Sequence, residues 1–189
     1  MATSRVTRHI FGMHPLLSEV LASTESARAE LLSLLDGLAP GQWDQRGAAG
    51  GWTVGEVVGH LCLVEDSSVR ALFRGFRNAR EAGLGPETDT TSRLGSLDAA
   101  RIDEPVRTIP APPMVTPTDA ADLAARREKL DFSRSGLRKF AAEADGFALS
   151  QVKFPHPAIG EIDLYQWVLF IGLHERRHIG QIRRILQGA

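Results

Sequence analysis

The 189-residue chain has a single cysteine, Cys62. An intramolecular disulfide is therefore impossible, a Cys-rich zinc finger is excluded, and a reducing compartment is the natural setting. An excess of either charge is also missing, since 22 Lys plus Arg stand against 23 Asp plus Glu for a formal net charge of -1. That balance offers no electrostatic footprint for nucleic acid or for an anionic membrane. No stretch approaches the roughly 18 apolar residues of a membrane span. The basic start MATSRVTRHIFGMHPLL lacks the continuous apolar segment and cleavage site of a secretory signal. A soluble, cytoplasmic protein is the expectation. Alternating runs long enough for a sheet, internal repeats and low-complexity stretches are missing too.

What is present is the composition of an ordinary globular protein, 43% hydrophobic and 24% charged. A chain of this length buries roughly 70% of its unfolded surface, so one domain spanning 1–189 is expected, with no metal needed merely to fold it. Apolar residues recur at helical spacing. The strongest segment is LYQWVLFIGLHERRHIGQIRRIL, where Leu164, Trp167, Val168, Ile171, His174, His178, Ile182 and Ile185 share a face behind a cap at Asp163. It predicts a helix of about 24 residues, roughly 36 Å long. GWTVGEVVGHLCLVEDSSVRALFRGF opens on a Thr53/Glu56 capping box after the Gly50-Gly51 break, and predicts a helix to Arg80. An earlier helix lies in LLSEVLASTESARAELLSLLDGL, ended by Gly37 and Pro40-Gly41. The third in order follows Thr118 or Asp119 and carries Leu123, Leu130, Leu137 and Phe140. Residues 81–117, rich in proline and glycine, form a long crossover holding at most a short helix, which lets helices two and three run parallel. FPHPAIGEID, at 154–163, reads as a compact Pro-Gly turn. The economical fold is all-α, a four-helix bundle.

HERRH, at 174–178, spells H-E-x-x-H, the zinc-peptidase signature. His174 and His178 stand one turn apart, about 6 Å at the backbone, so both imidazoles can reach one cation. Two half-exposed, hydrogen-bonded helix histidines are the competing reading. A catalytic zinc site needs a third protein ligand, which the best-known peptidases take from farther along the chain. Only IGQIRRILQGA follows, with no His, Asp, Glu or Cys, so the usual peptidase cannot be completed and a third ligand must come from upstream. His9 and His14, in the N-terminal arm, read as solvated. His156, between Pro155 and Pro157, reads as a turn-packing or pocket-edge residue. His60 lies among Val57, Leu61 and Val64, where a neutral imidazole needs partners. It is either a satisfied core histidine or a group facing His174 and His178 across the bundle, where metal sites are commonly built.

Two stretches resemble the DinB-like superfamily of small bacterial four-helix bundles, also called YfiT-like metal-dependent hydrolases. GWTVGEVVGHL is similar to the W-[ST]-x-x-E-x-x-x-H start of the family's second helix, and FPHPAIGEIDLYQWVLFIGLHERRHIGQI to its turn and H-x-x-x-H fourth helix. With the helix order and the long crossover, the resemblance covers nearly the whole chain. It implies an up-down-down-up bundle and a divalent metal held by His60, His174 and His178. Imidazole donors suit zinc, nickel, iron and copper; zinc, nickel or iron is expected here. Characterised members of the superfamily include enzymes that add low-molecular-weight thiols to electrophiles, as well as a thiol-dependent isomerase. The implied activity is therefore that of a thiol S-transferase on a small-molecule substrate, with metal-dependent hydrolysis or a non-catalytic metal-binding stress protein as alternatives. The resemblance gives Glu175 no defining catalytic place, and it reads as a flanking charge near the neighbouring arginines. Glu56 belongs to the capping box, while Arg177 and Gln181 fit the family's R-H-x-x-Q pattern and either orient ligands or pack. Cys62, about 200° around the helix from His60, reads as a small buried hydrophobe, and Trp52, Trp167 and Phe170 as core aromatics. A homodimer burying an outer helix face is a further expectation.

Overall fold

The computed structural model describes residues 12–47, 51–97, 111–118, 122–156 and 159–188. Four long helices dominate them, and three begin behind a side chain that accepts from a free N–H of the first turn. Helix α1, Pro15–Asp36, starts on a proline whose fixed φ suits the first turn. Helix α2, Val54–Glu81, carries the expected capping box: Glu56 N–H donates to Thr53 Oγ1 at 3.1 Å and Thr53 N–H donates to the Glu56 carboxylate at 2.7 Å. Helix α3 is Leu123–Ala144, beginning later than the Thr118 or Asp119 start read from sequence because Asp122 is the cap, accepting from Ala125 N–H. Helix α4, Leu164–Leu186, has a full capping box in which Asp163 and Gln166 exchange hydrogen bonds.

Contacts between the helices fix their directions. Thr24 meets Val168 and Glu30 meets Arg183, so α1 and α4 run parallel. His60 meets His174 while Gly75 packs on Leu164, so α2 is antiparallel to α4. Gly59 packs on Arg126 and Phe76 on Phe140, so α2 and α3 are parallel. The result is the up-down-down-up bundle. Helices α1 and α4 approach closely where a Cβ at Gly172 would lie 2.9 Å from Thr24 Cα.

The turn at 154–163 is more regular than its Pro-Gly content suggests. Strands β1, Lys153–His156, and β2, Gly160–Asp163, pair antiparallel with Phe154 opposite Ile162. Four residues per strand is too short for a period-of-two signal, so the sequence hid this hairpin. It is pinned to α4 by Trp167 Nε1–H, which donates to Phe154 O at 3.1 Å. In the crossover, a single 3-10 turn at Pro113–Val115 lies among the described residues and presses Val115 into the bundle. Among the described residues, no helix is long and apolar enough to cross a membrane.

The buried interior divides into two apolar clusters. One gathers Val20, Val69, Leu137, Phe140, Val168 and Ile171; the other gathers Leu31, Leu61, Leu130, Ile179 and Ile182. On every helix a buried charged residue stands between the two, Arg28, Glu65, Arg134 and Glu175, with Thr24, Ser68 and Ser133 beside the first three.

Candidate metal centre

His60 is buried on α2, and His178 and His174 lie on α4, the first buried and the second half-buried. Antiparallel packing of these two helices brings the rings together. His174 Nε2 stands 3.4 Å from His60 Nε2 and 3.2 Å from His178 Nε2. One ligand atom from each ring lies within 4.8 Å of the others. A tetrahedral ion with bonds of about 2.0–2.1 Å separates adjacent nitrogens by roughly 3.3 Å, so the spacing fits a single small cation.

The opposite edges of two rings are fixed. His60 Nδ1–H donates to Val115 O at 2.7 Å, and a carbonyl can only accept, so in the neutral ring Nε2 carries the lone pair. His178 Nδ1–H donates to Gln181 Oε1, also at 2.7 Å, with the same consequence. Two nitrogen lone pairs thus converge on His174 Nε2. Burial keeps the rings neutral: it lowers His60, pushes His178 down to about 3, and holds His174 well below the usual range with help from its neighbours His178 and His60. Outer hydrogen bonds that fix the tautomer of a ligand imidazole are what a metal site uses to aim its donors, and His60 and His178 both have one.

Aromatic rings surround the cluster. Trp52, half-buried rather than the core residue read from sequence, has its ring 4.9 Å from His60 because it precedes α2 and covers the first turn from outside. Phe170 lies 5.3 Å from His174, and the His156 ring packs 4.2 Å from Phe170 and 4.8 Å from buried Trp167. His156 thus occupies the edge of the site without contributing a donor to it, and burial lowers its pKa to about 4. His14 precedes α1, its backbone N–H donating to Asp145 Oδ1 at 2.8 Å, while His9 lies outside the described residues. Cys62 is buried, its thiol directed at Arg126 O, and burial pushes it up to about 11, which makes it inert.

Glu175 is not the flanking charge that its arginine neighbours suggested. It lies four residues after Ile171 and four before Ile179, on the buried stripe of α4. There its carboxylate accepts from Arg28 Nε at 2.6 Å and from Arg134 Nη2 at 3.2 Å. A carboxylate so engaged is not placed as a peptidase base. The same two guanidiniums also hold Glu65, through Arg28 Nη2 and through Arg134 Nε at 2.8 Å. All four residues are between 1% and 4% exposed and form a closed alternating ring with one member per helix. Although burial opposes its charge, Arg28 is held above its ordinary value by Glu175 and Glu65. Sequence reasoning missed Arg28, Glu65 and Arg134. The available signal was a charge on the apolar stripe of each of four helices, summing to zero.

Comparisons with known proteins agree with this architecture. The profile of the DinB superfamily matches residues 23–182, which include all three histidines. An uncharacterised Bacillus subtilis (strain 168) protein, YuaE, is 28% identical over 161 residues, spanning 84% of this chain and 92% of its own length. Among solved structures, TT2238, described as a four-helix bundle protein, is similar with a TM-score of 0.59 at 26% identity, covering 92% of this chain and 99% of that one.

Proposed function

The chain belongs to the DinB superfamily, and on that footing we propose that it is a metal-dependent thiol S-transferase acting on a small electrophilic molecule. The observation that carries this reading is the convergence of His60, His174 and His178 on one point, with the Nδ1–H groups of His60 and His178 engaged elsewhere. His60 and the two α4 histidines would hold a divalent ion of zinc, nickel or iron, and such an ion supplies the Lewis acidity that lowers the pKa of a thiol. Three protein donors leave room for a substrate, unlike a closed structural site of four. Val115 and Gln181 hold the ring orientations, while Trp52, Phe170 and His156 line the approach with apolar faces that favour a compact organic substrate over water. The near-neutral net charge supports no nucleic-acid role.

Metal analysis of the purified protein tests the centre. About one equivalent of divalent ion is expected in the native chain, and His60→Ala and His178→Ala should each lose it; unchanged content in both variants would remove the triad from consideration. Loaded protein is then assayed with small thiols and a reactive test electrophile. A metal-dependent rate of thioether formation supports transfer. Consumption of an activated ester without thiol would point to a hydrolase, and neither rate above background to a binding protein.

A further inference from the structure

The charged ring and the histidine cluster share a pair of helices. Both ring carboxylates, Glu65 and Glu175, stand on α2 and α4, the helices that supply the three histidines. Both guanidiniums come from α1 and α3, which supply none. Arg28 binds Glu65 and Glu175 together, and so does Arg134. Each arginine therefore ties α2 to α4. Each is itself anchored to the opposite helix: Arg28 Nη1 donates to Leu130 O of α3 at 2.7 Å, and Arg134 Nη1 donates to Thr24 O of α1 at 2.9 Å. Half-exposed Glu25 adds a weaker contact to Arg134 Nη1 at 3.5 Å.

Proximity links the two groups directly. Glu175 follows His174, and Glu65 lies five residues after His60. A cavity of about 10 Å³ is lined jointly by Leu61, Val64, Glu65, Ile171, His174 and Glu175. A rotation of α4 about its axis would move Glu175 and His174 together, so whatever fixes the carboxylate fixes the direction of the ligand. The apolar clusters above and below the ring tolerate small slides and rotations, because dispersion contacts are numerous and non-directional. Fork geometry between guanidinium and carboxylate does not.

We infer that Arg28, Glu65, Arg134 and Glu175 are positioning residues, a double clamp that sets the rotation and register of α2 against α4 and so preorganises the three imidazoles for their ion. The inference rests on the metal-centre reading for its purpose, and on the clamp geometry for its substance. Buried ion pairs are weak contributors to stability against well-packed apolar replacements, and their presence here fits a role in specifying one arrangement.

The test replaces all four charges together, Arg28→Met, Glu65→Leu, Arg134→Met and Glu175→Leu, so that no charge is left unpaired. Native and variant full-length proteins are titrated with Zn²⁺ and Co²⁺, and imidazole signals of the metal-free proteins are followed by NMR. The variant is expected to keep its helicity and a Tm at or above the native value. Its Zn²⁺ affinity should fall at least tenfold, its Co²⁺ absorption should change, and its His60 and His178 Nδ1–H signals should broaden or multiply. Affinity within twofold of native, with native imidazole signals, overturns the inference. Should the variant fail to fold, Glu175→Asp, which keeps every charge but withdraws one carboxylate by a methylene, is read in the same way. If the native protein takes up no metal, the metal-centre reading fails. The metal-free imidazole signals then decide the clamp alone: disorder in the variant supports it, and identity with native overturns it.

Discussion

Two polar groups lie inside this bundle, side by side along α2 and α4, and they differ in composition. The ring of Arg28, Glu65, Arg134 and Glu175 has two positive and two negative members, each facing its complements. The cluster of His60, His174 and His178 has three members of one kind, with neutral rings whose nitrogens face one another. A closed charged ring needs nothing added and loses most when a piece is removed. A set of like neutral donors loses little when a piece is removed and gains most when a cation binds it.

The largest expected effect breaks the charged ring. Glu175→Ala leaves Arg28 and Arg134 sharing one buried carboxylate, and should cost about 3–5 kcal/mol, measured by denaturant unfolding of the metal-free protein. A loss below about 1 kcal/mol would mean that the ring is solvated and worth no more than surface ion pairs. Next comes the binding of a cation by the three histidines. Zinc at 100 times its Kd should stabilise the native protein by about 2.7 kcal/mol, and His60→Leu should abolish that gain. Without metal the same substitution should change stability by only about 1 kcal/mol, because the lost hydrogen bond to Val115 is offset by relief of the facing lone pairs. Thermal or chemical unfolding with and without zinc separates the two.

The contrast also explains how much the sequence disclosed. The four helices were legible because each carries a long stripe at helical period, with its start marked on α2 by Thr53 and Glu56 and on α4 by Asp163. His174 and His178 were legible because their spacing on one helix fixes their distance in space. His60 needed the bundle's topology as well, which the resemblance provided and the interhelical contacts bear out. The charge on each apolar stripe was visible, Glu175 among them at four residues from both Ile171 and Ile179, but the ring was not legible as a ring because its members touch only across helices. The β1–β2 hairpin escaped for another reason: four residues per strand, interrupted by Pro155, carry too little alternation to register.

A smaller change should strain the ring while sparing the α2–α4 face. Gly172 sits where α1 crosses α4, and a methyl there would meet Thr24 Cα at 2.9 Å and Thr24 Oγ1 at 3.0 Å. Gly172→Ala should cost about 1–3 kcal/mol, as α1 is pushed outward and drags Arg28 from Glu175. Unchanged stability would show that α1 can withdraw without loosening its grip on the ring.

The effect that vanishes at neutral pH, and develops only in acid, concerns His156, which stands at the rim of the histidine cluster. Burial against Phe170 and Trp167 lowers its pKa from 6.5 to about 4. An unfolded chain therefore binds this proton below about pH 6.5, whereas the folded protein resists it until about 4. Between those values the unfolded state holds more protons, so the contribution of His156 to stability is intact above pH 6.5 and is lost as pH falls through 4. His156→Phe preserves the aromatic packing and removes the titration. Unfolding midpoints of the metal-free proteins should then agree above neutrality, with a shallower acid decline in the variant. The charged ring is common to both proteins and cancels in the difference, while His174, which His156 helps to hold low, shifts in the same comparison. Parallel declines would place the His156 ring in water, and would leave Phe170 as the wall nearest His174 on that side.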